Sequence, residues 1–205
     1  VWYIIHEMEK IPSNQRRGRP LTRNRSNVLE SAMHAYWQAD GAAISVNAIC
    51  VLAGVSKPSL YRDFGSEDEL TAAVLERYVE TVLRSLEERV TSSESFKQKI
   101  EWFIQFASES PDIGCLLVKM RANRFRFGSL TQAKIAKIES HFLECYTNFF
   151  KKSASSGEWS RSIAPELAAD YLNEQLNLAI SQRSAGKSKE SVRDLLSLSI
   201  SVVYE

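Results

Sequence analysis

Apolar residues recur along almost the whole chain at intervals of three and four, and β-branched runs with strict alternation are missing, so the pattern predicts an all-α protein. A first helix is expected from about Arg25 to Ala39, with Val28, Leu29, Ala32, Met33 and Tyr36 on one face and "DGAA" ending it. Ser45 is placed to cap the short segment "VNAICVLA", whose Val46, Ile49, Cys50 and Ala53 share a face, and Gly54 supplies the positive φ at which it can stop. Ser56 caps a third helix with Pro58 in its first turn, and Phe64 with Gly65 closes it. Ser66 opens a longer fourth helix reaching about Glu88. Glu69 completes a capping box there, and Glu67 and Asp68 lie at the positive end of the dipole. Leu70, Val74, Tyr78 and Val82 form its stripe.

Beyond Val90 the predicted helices lengthen, covering 94–108, 113–126, 131–152, 165–183 and 188–204. In 131–152, Ile135, Ile138, Phe142, Cys145 and Phe149 advance by alternating threes and fours, a seam that wants another helix against it.

Composition changes this picture only locally. With 205 residues, 44% of them hydrophobic, the chain can bury a real core. No apolar run is long enough for a membrane span, and the opening "VWYIIHEMEK" lacks the character of a secretory signal. Cys50, Cys115 and Cys145 are far apart and odd in number, which suits a reducing compartment, so a cytoplasmic protein without membrane contact is expected. Met8 is a candidate natural start, and residues 1–7 are left out of the fold. The net charge of +1 hides an asymmetry: Lys10, Arg16, Arg17, Arg19, Arg23 and Arg25 lie in a segment with no acidic residue. Within it "RRGRP" at 16–20 is extended and slender enough for a narrow minor groove, although a solvated tail has the same composition.

Three short helices with a glycine turn between the second and third have the geometry of a helix-turn-helix, whose last helix enters the DNA major groove. The segment from Val28 to Tyr78 resembles the DNA-binding domain of the TetR (tetracycline-repressor) family of transcriptional regulators. Val46, Ile49, Ala53, Gly54, Val55, Ser56, Leu60, Tyr61, Phe64 and Leu70 stand where that family's pattern wants them. "GCLLV" at 114–118 and "SGEW" at 156–159 extend the likeness more thinly.

The resemblance implies a flexible basic arm over 1–20, a reader over 21–66, and a helical effector-binding and dimerisation domain over 67–205 reached through the long fourth helix. It implies a ligand-responsive regulator, expected to be a repressor, that binds a palindromic double-stranded operator as a homodimer through its last two helices. A small-molecule effector would release it. Carried over residue by residue, the DNA contacts are Lys57, Pro58, Ser59, Tyr61 and Arg62, while Leu60 and Phe64 face the core; Ser45 and Ser56 chiefly cap, with any phosphate contact secondary, and Arg16, Arg17 and Arg19 of the arm are the further DNA-binding candidates. These residue types suit the roles: Lys57 and Arg62 can neutralise phosphate or reach guanine, Tyr61 can donate to phosphate, and Pro58 can meet a thymine methyl. Glu67 departs from the family, which often has Lys there.

Candidate effector-pocket residues are Trp102, Phe103, Phe106, Cys115, Met120, Arg124, Phe142 and Tyr146. In "VKMRANRFRFGS", Lys119, Arg121, Arg124 and Arg126 find no acidic residue between Ile113 and Leu130, which fits an anionic effector or a nearby DNA phosphate, or else a solvated basic face. His6, His34 and His141 are distant from one another, and no catalytic triad, metal-ligand spacing or phosphate loop is evident. Neither an enzyme nor a cofactor is therefore expected. The competing readings are a helical redox or enzyme-like protein using Cys115 or Cys145, and a helical interaction module that binds no DNA.

Overall fold

The computed structural model describes residues 21–39, 41–110, 114–160 and 162–204. Nine helices occur among them: α1 (Leu21–Gln38), α2 (Val46–Ala53), α3 (Lys57–Phe64), α4, α5 (Phe96–Ser108), α6 (Leu116–Ala122), α7 (Ser129–Ser155), α8 (Pro165–Ser184) and α9 (Lys189–Tyr204). Helix α4 runs without a break through an α-helical Glu67–Tyr78, a π-helical Val79–Leu83 and an α-helical Arg84–Thr91. At the start of the π segment the Thr81 hydroxyl donates to the Arg77 carbonyl at 2.7 Å, a local competitor for the helix's own ladder. No strand occurs among the described residues, in agreement with the all-α expectation. None of their helices is long and apolar enough to cross a membrane.

Two ends differ from the sequence pattern for visible reasons. Helix α5 starts at Phe96 because Ser95 forms a full capping box, its hydroxyl accepting from Gln98 N–H while the Gln98 side chain accepts from Ser95 N–H at 3.0 Å. Helix α6 ends at Ala122, well short of 126, because the Asn123 amide side chain donates to the Lys119 carbonyl at 3.0 Å and a 3-10 turn, Arg124–Arg126, follows.

The described residues form two compact units. The first contains the described residues from Leu21 to Arg84 and Lys119–Ala136. In it α1 packs on α2 and α4, α2 on α3, and α3 on α4. Its interior is filled by Val28, Ala32, Tyr36, Ile49, Leu60, Leu70 and Val74, all essentially fully buried. The Tyr36 hydroxyl shares a 3.0 Å hydrogen bond with Thr71, and Trp37 stands edge-on to Tyr78 with centroids 5.2 Å apart. Burial raises the Tyr36 phenol above its ordinary value, so it remains a neutral hydrogen-bonding group.

The second unit contains Ser85–Val118 and the chain from Lys137 onward. Here α5, α8 and α9 pack pairwise, and α7 contributes rings: Phe149 stacks on Phe96 at 5.0 Å and Phe150 meets Trp159 at 4.9 Å. The Trp159 indole donates to the Val203 carbonyl at 2.7 Å. Lys99 is buried, and its ammonium donates to the carbonyls of Val90 and Ser92 at 2.9 and 2.7 Å. It caps the negative end of α4.

Candidate nucleic-acid interface

Helices α2 and α3 are each fixed at both ends by bonds that close within a few residues. The Ser45 hydroxyl accepts from Ala48 N–H at 3.3 Å, and Gly54, at φ 64° and ψ 35°, donates back to the carbonyls of Cys50 and Val51. Ser56 accepts from Ser59 N–H at 3.3 Å, and Gly65, at φ 82°, donates to the Tyr61 carbonyl at 2.7 Å. Helix α1 then reinforces both C-terminal ends. The Asn27 amide donates to the Ala53 carbonyl at 3.1 Å, and the Arg25 guanidinium donates to the Asp63 carbonyl while lying 4.1 Å over the Phe64 ring. Arg25, counted at first with the basic arm, therefore holds the third helix in place.

With Leu60 and Phe64 buried, the rest of α3 points outward: Lys57, Pro58, Tyr61 and Arg62 are exposed and Ser59 is half-buried. These side chains brace one another. Arg62 donates to the Ser59 hydroxyl at 2.8 Å and pairs with Asp63 at 3.3 Å, and the Lys57 ammonium lies 5.9 Å over the Tyr61 ring. Such a face offers two cations, a phenol hydroxyl and an apolar proline edge on a rigid short helix, a donor set matched to phosphates and major-groove base edges. Ser45 and Ser56 act as helix caps. Arg16, Arg17 and Arg19 lie outside the described residues.

The start of α4 completes the surface. The Ser66 hydroxyl accepts from Glu69 N–H at 3.1 Å, and Glu67 is exposed at the first helical position. Asp68 turns elsewhere, accepting from Leu130 N–H at 2.9 Å, from Thr131 N–H at 3.0 Å and from the Thr131 hydroxyl at 2.6 Å. It caps α7, and a Cβ at Gly128 would lie 2.4 Å from its carboxylate. Burial opposes ionisation of Asp68, but these three hydrogen bonds outweigh it and hold the carboxyl below its ordinary range.

Residues 28–74 match the family model for bacterial regulatory proteins of the tetR family. This segment belongs to the TetR family. Among curated relatives, the transcriptional repressor ComR of Escherichia coli K12 is 28% identical over 108 residues, covering 50% of this chain and 51% of ComR. The transcriptional activator FasR of Mycolicibacterium smegmatis is 33% identical over 95 residues, covering 45% and 43%. The chain thus spans about half the length of the curated relatives it matches. Two solved structures show the same fold: reduced E. coli NemR, with a TM-score of 0.77 at 20% identity over 88% of this chain and 97% of NemR, and a cysteine mutant of the TetR family transcriptional regulator CifR complexed with a 26-base-pair operator, with a TM-score of 0.73 at 16% identity over 93% and 100%.

The remaining candidates are distributed between the two units. Phe103, Phe142 and Tyr146 are buried, and Trp102, Phe106 and Cys115 are half-buried, all in the second unit. Phe103 stands edge-on to Tyr146 at 5.7 Å and Trp102 stacks on Phe106 at 4.9 Å. Burial, aided by Cys115 and Cys145, pushes the Tyr146 phenol far up, so it stays protonated. Met120, buried, and Arg124, exposed, belong to the first unit. The basic stretch around them is not uniformly solvated: the Lys119 ammonium donates to the Trp37 carbonyl at 3.2 Å, and Arg126 lies 5.6 Å over the Phe125 ring.

Proposed function

We propose that this protein is a ligand-responsive transcriptional regulator that binds a palindromic operator as a homodimer, with α3 as its recognition helix. The observation that carries the reading is the division of α3 into a buried Leu60–Phe64 side and an exposed side bearing Lys57, Pro58, Ser59, Tyr61 and Arg62. The reader covers residues 21–66, and residues 67–205 hold the effector and dimerisation functions. The arm arginines Arg16, Arg17 and Arg19 add minor-groove and phosphate contacts.

Dimerisation is supported by apolar side chains left exposed on the last two helices: Leu167 and Leu178 on α8, and Leu195, Leu198 and Val202 on α9. A two-fold pairing of this surface presents two copies of α3, and successive major grooves on one face of the duplex lie about 34–36 Å apart. The effector is a small molecule held among the aromatic residues of the second unit, chiefly Trp102, Phe103, Phe106, Phe142 and Tyr146 with Cys115. It releases DNA by binding the non-operator arrangement more tightly. We assign repression as the output, because occupying an operator near a promoter blocks transcription without any further contact. CifR, with the same fold, binds operator DNA, which supports the reading. A DNA-binding regulator of this kind works in the cytoplasm, beside the chromosome.

A mobility-shift assay on DNA flanking its own gene tests the core of this. Sequence-specific binding is expected, weakened at least about tenfold by Tyr61→Ala or Lys57→Ala. Binding without sequence preference and indifferent to Tyr61 overturns the reading. A reporter under the operator should rise when the gene is deleted, and a fall would make the protein an activator like FasR.

A further inference from the structure

Helix α7 carries His141 and Cys145, one helical turn apart and therefore on the same face. Glu87, in the last segment of α4, reaches the same point. The His141 Nε2 lies 3.0 Å from a Glu87 carboxylate oxygen and 3.8 Å from the Cys145 Sγ, and the three donor atoms all lie within 4.8 Å of one another. All three residues belong to the second unit, and none of them lies on the DNA-binding face described above.

We infer that Glu87, His141 and Cys145 form a binding site for a divalent transition-metal ion of borderline softness, with Zn2+ as the best match. The donor set fixes the class: one thiolate, one imidazole and one carboxylate are the ligands zinc takes in proteins, whereas calcium and magnesium call for oxygen alone. The spacing fits as well. A tetrahedral ion with bonds of about 2.0–2.3 Å to N, O and S has ligand-to-ligand edges of roughly 3.3–3.6 Å. The observed 3.0 and 3.8 Å edges from His141 bracket that range, and the Glu87–Cys145 edge lies within 4.8 Å, so side-chain rotation that draws Glu87 and Cys145 together closes the set.

The setting agrees with the donors. The His141 and Glu87 side chains keep 46% and 39% of their surface open, which gives an ion a path in and leaves room for water as a fourth ligand. The sequential pair on one helix makes a preformed chelate, and the glutamate ties it to a second element. A plain surface ion pair accounts for His141 and Glu87 but not for a thiol facing the same imidazole nitrogen.

Cobalt is the spectroscopic probe, and the assay requires no DNA. Metal-free full-length protein, reduced and kept anaerobic, is titrated with Co2+. The expected result is one ion per chain, with a thiolate-to-cobalt charge-transfer band and the visible bands of a tetrahedral ion, both removed by one equivalent of Zn2+. Cys145→Ser should abolish the charge-transfer band, and His141→Gln and Glu87→Gln should each weaken cobalt at least about tenfold, since even outer ligand partners are worth that much. Cys50→Ala, in the other unit, should keep the band. Circular dichroism confirms that each variant is folded. A wild-type protein without the band, or a band that survives in Cys145→Ser, overturns the site.

Discussion

Asp68 shows how much one side chain can fix. Its carboxylate satisfies two backbone N–H groups and the hydroxyl of Thr131 at the start of α7, so Asp68→Asn removes the charge and one of its acceptors together. Capping energies put the loss at about 1–2 kcal/mol. The sign of the pH dependence follows from the depressed carboxyl. Its contribution is fully present above the ordinary value of 3.8 and disappears as pH falls through the lower folded value. Denaturant titrations of wild type and Asp68→Asn should therefore differ by a constant amount from neutrality down to about pH 4 and converge below it. Convergence above pH 5 would mean that the cap does not rely on the ionised form. The neighbouring Glu67 tests the DNA reading instead, because its exposed carboxylate stands at the edge of the proposed phosphate-facing surface. Glu67→Lys should tighten operator binding and steepen the salt dependence by about one unit of slope. An unchanged slope would place position 67 away from the backbone.

The helices of the reader were legible in the chain because their determinants are local. Ser45, Ser56 and Ser66 cap, and Gly54 and Gly65 stop, through bonds that close within a turn. What the pattern could not reveal is long-range. Lys119 reaches the Trp37 carbonyl across 82 positions, Asp68 reaches Thr131 across 63, and Arg25 reaches Asp63 across 38. No periodicity encodes such partners. The His141 and Cys145 pair is a different case: its spacing of four places both on one helix face, but two donors make no metal-ligand pattern, and the third, Glu87, lies 54 positions away from His141. Gly41 combines both kinds of information. Its place after α1 reads as a stop signal, and its φ of 69° agrees, yet a Cβ there would also lie 2.6 Å from the Lys119 carbonyl carbon and 2.7 Å from Met120 N. Both obstacles are backbone and cannot swing aside. Gly41→Ala should therefore cost about 2–4 kcal/mol, from left-handed strain and overpacking together. A lowered denaturation midpoint with an unchanged slope is the expected observation.

Two copies of the chain, proposed to pair, would face DNA as a single reader, and the pairing has an energetic signature that a point variant can expose. Leu198 is 72% exposed on α9 and Val202, one turn on, is 57% exposed, while Leu178 on α8 is 51% exposed. Burying one leucine is worth about 1.5–3 kcal/mol, and a two-fold interface counts it twice. Leu198→Glu forfeits both copies and brings two carboxylates to the same interface. The dimer dissociation constant should then rise by at least about a hundredfold, at 1.4 kcal/mol for each factor of ten. Sedimentation equilibrium should find monomer where the wild type is dimer. Operator affinity should fall in parallel, because the second half-site contact ceases to be intramolecular, whereas affinity for an isolated half-site should hold. If Leu198→Glu remains dimeric, the exposed leucines of α8 and α9 are not the interface, and the two recognition helices must be brought together by another surface.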